Sequence, residues 1–104
     1  VKIVPMRTAP SFFVAAGDPD PRGMTVIGAD RGIAGTIRDV WIDKSEIIIR
    51  YYEVEIPGGK RVLLPANFSR VDRNRGEVRV ISILADQFAD VPAIKNPDQI
   101  TLLE

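Results

Sequence analysis

Residues 33–65, IAGTIRDVWIDKSEIIIRYYEVEIPGGKRVLLP, constrain the fold more than any other part of the chain. Two runs within them, 33–42 and 47–56, are rich in β-branched and aromatic side chains, which suit a pleated surface better than a helix. Between the runs, Asp43-Lys44-Ser45-Glu46 supplies turn formers. After them, Pro57-Gly58-Gly59-Lys60 supplies the glycines whose positive φ angles a tight hairpin needs. In the second run Ile48, Tyr52, Val54 and Ile56 share one parity, while Tyr51, Glu53 and Glu55 share the other. That period of two predicts one dry face and, beyond Tyr51, one wet face. Residues 61–64 return as a further strand before Pro65 and Asn67 interrupt it.

The flanking sequence repeats this pattern in shorter pieces. Residues 1–10 carry Pro5 and Pro10 and read as an N-terminal arm whose strand, if formed, lies at an edge. SFFVA at 11–15 and residues 24–29 read as strands, separated by a loop at 17–23 where two Asp-Pro pairs oppose both helix and sheet pairing. Asp30-Arg31-Gly32 reads as a tight turn, and strands at 68–71 and 77–80 flank the turn cluster DRNRG. Only the end changes period. Ser82 as N-cap, then Ile83, Leu84, Gln87, Phe88 and Val91, predict a helix of up to two turns stopped by Pro92. A turn at 96–99 and an apolar tail at 100–103 follow. The sum is a mainly β fold, a small antiparallel β-barrel with one short C-terminal helix. The 104 residues form one domain: arm 1–10, barrel 11–81, helix and tail 82–104.

Composition removes several function classes. Lys plus Arg and Asp plus Glu both number 14, so the formal charge is zero, against the basic excess of a dedicated nucleic-acid binder. There is no cysteine, which excludes disulfides and thiolate metal sites. There is no histidine, which removes the commonest general base and the commonest transition-metal ligand. An enzyme would have to work with carboxylates, Lys or Tyr alone, which is uncommon. No apolar run approaches the ~20 residues that cross a bilayer. The chain starts at Val1, so a piece cut from a longer protein is expected.

Three groups of side chains invite a functional reading. Asp18, Asp20 and Gly23 match the start of a calcium loop, but Arg22 and Ala29 stand where ligands are needed, so no metal site is expected. Arg70, Arg73, Arg75 and Arg79 surround one hairpin with Asp72 and Glu77 interleaved. A solvated hairpin whose charges deter edge pairing accounts for them better than a nucleic-acid or anionic-lipid patch, because no aromatics alternate with the arginines. Trp41, Tyr51, Tyr52, Phe12, Phe13 and Phe68 read as core or interface packing, with one of the adjacent pair Phe12-Phe13 facing outward.

The third group is Asp43, Glu46 and Arg50, around one turn and hemmed in by Trp41, Ile47, Ile48 and Ile49. Chemically this is first a hairpin loop. A functional reading requires one carboxylate desolvated enough for its pKa to rise toward neutral, so that it passes protons, with Arg50 tuning the balance. A hydrolase built on Asp43 and Glu46 as paired carboxylates lacks any evident substrate cleft.

The runs PMR, GDPDPRGMTV, AGTIRDVWIDKSE, RYYEVEI, LLP and QFADVPAIKNPDQITLLE span nearly the whole chain, and together resemble the H subunit of the photosynthetic reaction centre of purple bacteria. The resemblance implies a PRC-barrel domain and a non-enzymatic role: capping the L and M subunits, shielding the quinone sites and assisting proton delivery to the secondary quinone. By position, Asp43 and Glu46 match that family's acidic proton-pathway residues, and Arg50 its neighbouring arginine. It further implies L and M as partners, no nucleic acid or small-molecule substrate, and a place on the cytoplasmic face of the photosynthetic inner membrane. An N-terminal membrane helix is expected upstream. No cofactor is expected in this chain, since bacteriochlorophyll, bacteriopheophytin, quinone and iron belong to the partner subunits. Relatives carry surface histidines for proton uptake and a further C-terminal segment, both absent from this sequence. The alternative is a PRC-barrel adaptor in RNA processing or ribosome maturation, which shares a GTIRDV-like strand but neither DQITLLE nor GDPDPRG.

Overall fold

The computed structural model of the chain describes residues 2–9, 20–81, 85–94 and 100–101. The expected strand at 11–15 with Phe12 and Phe13, residues 17–19 of the 17–23 loop including Asp18, the Ser82 cap with Ile83 and Leu84, the turn at 96–99 and the last residues of the tail lie outside them.

The two runs expected to be long strands are long strands. In chain order the strands are β1 (Lys2–Pro5), β2 (Thr25–Ile27), β3 (Ile33–Asp43), β4 (Ile48–Glu55), β5 (Arg61–Pro65), β6 (Ser69–Asp72), β7 (Glu77–Val80) and β8 (Ile100–Thr101). They form one eight-stranded sheet in the order β5-β4-β3-β2-β7-β6, with β1 paired to β3 and β8 paired to β1. Strand β3 is the spine. Its first half pairs with β2, its last three residues with β1, and its other edge with β4. The edge strands β5 and β6 are consecutive in sequence, joined only by a 3-10 helix over Ala66–Phe68. Three residues reach about 10 Å at most, so the sheet curls until its edges meet across that bridge.

Two expectations change here. The barrel is not wholly antiparallel: the β6–β7 hairpin, crossing from β5, lays β7 parallel to β2. Strand β1 is not an edge, because it lies between β3 and β8, with Pro5 ending the pairing opposite Trp41. At the C-terminal end the helical segment is a 3-10 helix, Ala85–Asp90. Its Phe88 is buried in the core with Ile37, Val40, Val54, Leu64 and Val78.

Three irregularities in β3 and β4 decide where side chains point. Ala34 has no partner in β2, Arg38 none in β4, and Arg50 none in β3, so each is the extra residue of a bulge. Gly35 sits so close to β4 that a Cβ there would run into the carbonyl oxygen of Glu55. Along β3 the residues Val40, Trp41, Ile42 and Asp43 are all buried in succession, so both faces of the strand are covered there. Val40 and Ile42 belong to the hydrophobic core. Trp41 and Asp43 point the other way, Trp41 toward Glu53, which Arg7 of the N-terminal arm also reaches, and Asp43 toward its own turn and Arg50.

Candidate functional site

The β3–β4 turn is built by Asp43. Its Oδ1 accepts hydrogen bonds from the Ser45 amide (3.0 Å), the Ser45 hydroxyl (2.7 Å) and the Glu46 amide (3.3 Å). The backbone closes with the Ile47 amide donating to the Asp43 carbonyl at 2.7 Å. Arg50, freed from the ladder by its bulge, turns back over this loop. It meets Glu46 Oε2 at 2.9 Å and Asp43 Oδ2 at 3.5 Å. The three residues singled out in the sequence therefore do come together. Their exposures differ sharply: the Asp43 side chain is 3% exposed, that of Glu46 60%.

The surroundings are not those expected. Ile47, Ile48 and Ile49 do not hem the turn in; all three are exposed, Ile47 to 71%. Ile48 and Ile49 lie opposite the buried Asp43 and Ile42, yet stay exposed themselves, and Ile47 has a left-handed φ of 58°. Asp43 does not rise toward neutrality either. The Ser45 hydroxyl, two turn amides and the Arg50 charge outweigh its burial and hold its carboxyl below the usual carboxylate value. In this chain Asp43 is an ionised anchor for the turn. Beside it, Ile48, Ile49, Arg50, Tyr51, Pro65 and Asn67 line an open hollow of about 320 Å³.

A left-handed backbone at a β-branched residue costs about 1 kcal/mol or more. Ile47→Gly should therefore stabilise the domain by about 0.5–1 kcal/mol, part of the relief being offset by the entropy glycine adds to the unfolded chain. Thermal unfolding followed by circular dichroism reads this as a Tm higher by about 2–8 °C. An unchanged or lower Tm would mean that the exposed side chain makes contacts offsetting its strain.

A second ionic group was not foreseen. Glu53 has the parity expected to face water, yet its side chain is 1% exposed. Its Oε1 accepts from the Trp41 indole N–H (2.9 Å) and Arg7 Nη1 (2.8 Å), and its Oε2 accepts from Arg61 Nη1 (2.5 Å). Arg7 Nη1 also reaches Asp39 Oδ2 at 3.1 Å, and the Arg7 amide donates to the same oxygen at 3.2 Å. Arg61 also meets Glu55 at 3.3 Å. Burial raises the Glu53 pKa, but the donors Arg7, Trp41 and Arg61 together more than reverse that and leave it depressed. The signal was present in the register: Asp39 lies directly opposite Glu53. Two carboxylates facing each other across strands require cations. Arg7 comes from 46 residues away, which no local pattern reveals.

The remaining candidates divide. Arg22 clamps the Asp20 carboxylate with Nε at 3.0 Å and Nη2 at 2.6 Å, which occupies the oxygens a calcium ion would need. Of the four hairpin arginines, Arg75 pairs with Asp72 at 3.9 Å and Arg73 is also engaged, while Arg70 and Arg79 have no ion-pair partner among the described residues. Among the aromatics, Trp41 and Tyr52 are buried, whereas Phe68 is exposed.

A curled sheet closed by a three-residue bridge, with its ionic groups gathered on the outer face, defines a small β-barrel domain. The PRC-barrel domain family matches residues 14–85, and the chain belongs to that family.

Proposed function

We propose that this PRC-barrel is the cytoplasmic domain of a reaction-centre H subunit. In that role it stabilises the L and M subunits from beneath and assists electron transfer and proton delivery to the secondary quinone, without being an enzyme itself. The observation that carries the reading is the Asp43–Arg50–Glu46 corner. A water-facing carboxylate, Glu46, is bridged by Arg50 to an inward one, Asp43, and exposed isoleucines flank them. The motif likeness to the H subunit supports it, since these three positions coincide with that family's proton pathway. In this reading L and M cover Ile47–Ile49 and take water away from the corner, which favours the protonated form of a carboxylate held there. Pigments, quinone and iron stay with L and M, and a membrane helix upstream holds the domain at the inner membrane.

Glu46→Gln in the assembled complex tests it. Flash-induced proton uptake and the second electron transfer should slow about tenfold or more, as expected for loss of a positioned proton carrier. Wild-type rates would remove Glu46 from the route. Co-purification of the parent chain with ribosomal proteins, in place of pigment-bearing subunits, would favour the RNA-processing adaptor.

A further inference from the structure

The β6–β7 hairpin sends Val78 and Val80 inward to the core and presents a second face to solvent. Register fixes that outer face as three rungs. Phe68 lies beside Ile81, whose amide donates to the Phe68 carbonyl at 3.5 Å. Arg70 lies directly opposite Arg79, and Asp72 directly opposite Glu77. Phe68 is 52% and Ile81 65% exposed. Like charges directly opposite each other destabilise a strand pair, and here two such rungs follow in succession. Asp72 holds the turn, its Oδ1 accepting from the Arg75 amide at 3.2 Å, but no contact of the hairpin accounts for the cationic rung among the described residues. Nor is the cationic rung neutralised, for Arg70 and Arg79 have no ion-pair partner among the described residues.

The order of the rungs identifies what they fit. Successive rungs on one face are about 7 Å apart. Apolar side chains come first, guanidinium groups about 7 Å behind them, and carboxylates about 14 Å behind. An anionic bilayer presents the same sequence in depth: acyl boundary, phosphate, then water. A protein partner would have to carry an apolar, an acidic and a basic stripe in matching register. A nucleic acid would meet one aromatic and a carboxylate rung that repels it. We propose that the outer face of the β6–β7 hairpin docks onto an anionic phospholipid surface, with Phe68 and Ile81 at the acyl boundary and Arg70 and Arg79 on the phosphates. This goes beyond contact with any protein subunit and stands or falls without it. With a net charge of zero, the chain has no general attraction to an anionic surface, so binding depends on this local stripe.

Co-sedimentation of the 104-residue chain with vesicles tests it. Vesicles of equal parts phosphatidylcholine and phosphatidylglycerol should retain the protein, pure phosphatidylcholine should not, and added salt should release it. Arg70→Gln with Arg79→Gln should weaken retention about 30-fold, the effect of two arginines at an anionic leaflet. Phe68→Ser with Ile81→Ser should abolish it, while Asp72→Asn with Glu77→Gln should leave it equal or tighter. All these side chains are at the surface, and an unchanged circular dichroism spectrum confirms that each variant is folded. Equal retention on neutral and anionic vesicles, or wild-type retention of the double arginine variant, would overturn the proposal. So would a dimer in sedimentation equilibrium that Phe68→Ser with Ile81→Ser dissolves while no vesicle binding is found, since the occupant would then be a second copy of the chain.

Discussion

Glu53→Ala should cost the domain about 3 kcal/mol or more and lower its Tm by about 12 °C or more. The substitution removes the one acceptor shared by Arg7, Arg61 and the Trp41 indole N–H. Trp41 is fully buried, so its N–H loses its partner where no water replaces it, and that alone costs about 1–3 kcal/mol. Arg7 would keep Asp39, but its tie to β4 would be gone, and with it much of what holds the N-terminal 3-10 helix (Met6–Thr8) against the sheet. Both arginines are about two-fifths exposed, which places the loss near the lower end of the range for broken buried pairs. Glu53→Gln separates charge from shape: it retains an acceptor for Trp41 and the side-chain volume, and should lose less. The pH dependence has a defined sign. A carboxyl whose folded pKa lies below its unfolded value, near 4.3, stabilises the fold above that value and loses the contribution as pH falls through the folded pKa. The wild-type chain should therefore weaken progressively below about pH 4. Glu53→Gln should show a shallower decline, with Asp43, also depressed, accounting for part of what remains. A loss under about 1 kcal/mol for Glu53→Ala, the value of an ordinary surface pair, would mean that this group contributes no more than its exposed neighbours.

The strands β3, β4 and β5 and the turns between them were legible because their causes are local. β-branched runs, a turn former at Asp43 and two glycines at Gly58 and Gly59, both with positive φ, act over a few residues each. What the sequence could not show was set by distance. The parallel seating of β7 against β2 joins residues some fifty positions apart, and no periodicity encodes it. Period two also misassigned Glu53. The outward parity of β4 is wet only if nothing lies over it, and Arg7 and Arg61 do. The Asp43 corner was legible because Asp and Ser between two strands are turn formers, but what holds the Asp43 charge was not. The three donors that lower its pKa come from the folded turn itself. The bulge at Arg50 is equally invisible in the sequence, and it is what releases the guanidinium to bridge both carboxylates. Asp39, Trp41 and Asp43 alternate along one face of β3, so the turn and the Glu53 group stand on the same outer surface, with the indole between them.

Phe88→Ala should cost about 3–5 kcal/mol, comparable to the loss at Glu53 but by a different route. The 3-10 helix Ala85–Asp90 is too short to hold itself in place, because so short a helix satisfies few of its own backbone groups. It is pinned at its start by the Ala85 amide donating to Asp30 Oδ1 at 3.1 Å, where Gly28 and Gly32 leave no room for a Cβ. In the middle it is pinned by Phe88, 1% exposed in the core. Beside this ring an open hollow of about 380 Å³ is lined by Ile33, Ala34, Ile56, Ala85, Phe88 and Ala89. Truncation to alanine removes the ring's packing against Ile37 and Val54 and joins the vacated space to that hollow, so water reaches apolar core instead of leaving a sealed void. Phe88→Leu, which keeps most of the volume, should cost about 1.5 kcal/mol or less. Chemical denaturation gives the global value, and amide exchange says where the loss falls. The Ile94 amide, which donates to the Arg61 carbonyl at 3.1 Å, reports whether the segment after the helix stays on β5. Faster exchange at Ile94 with a small global loss would mean that the segment lifts off as a separate unit, and wild-type stability with Ile94 still protected would show that the ring is not what fastens this end of the chain to the barrel.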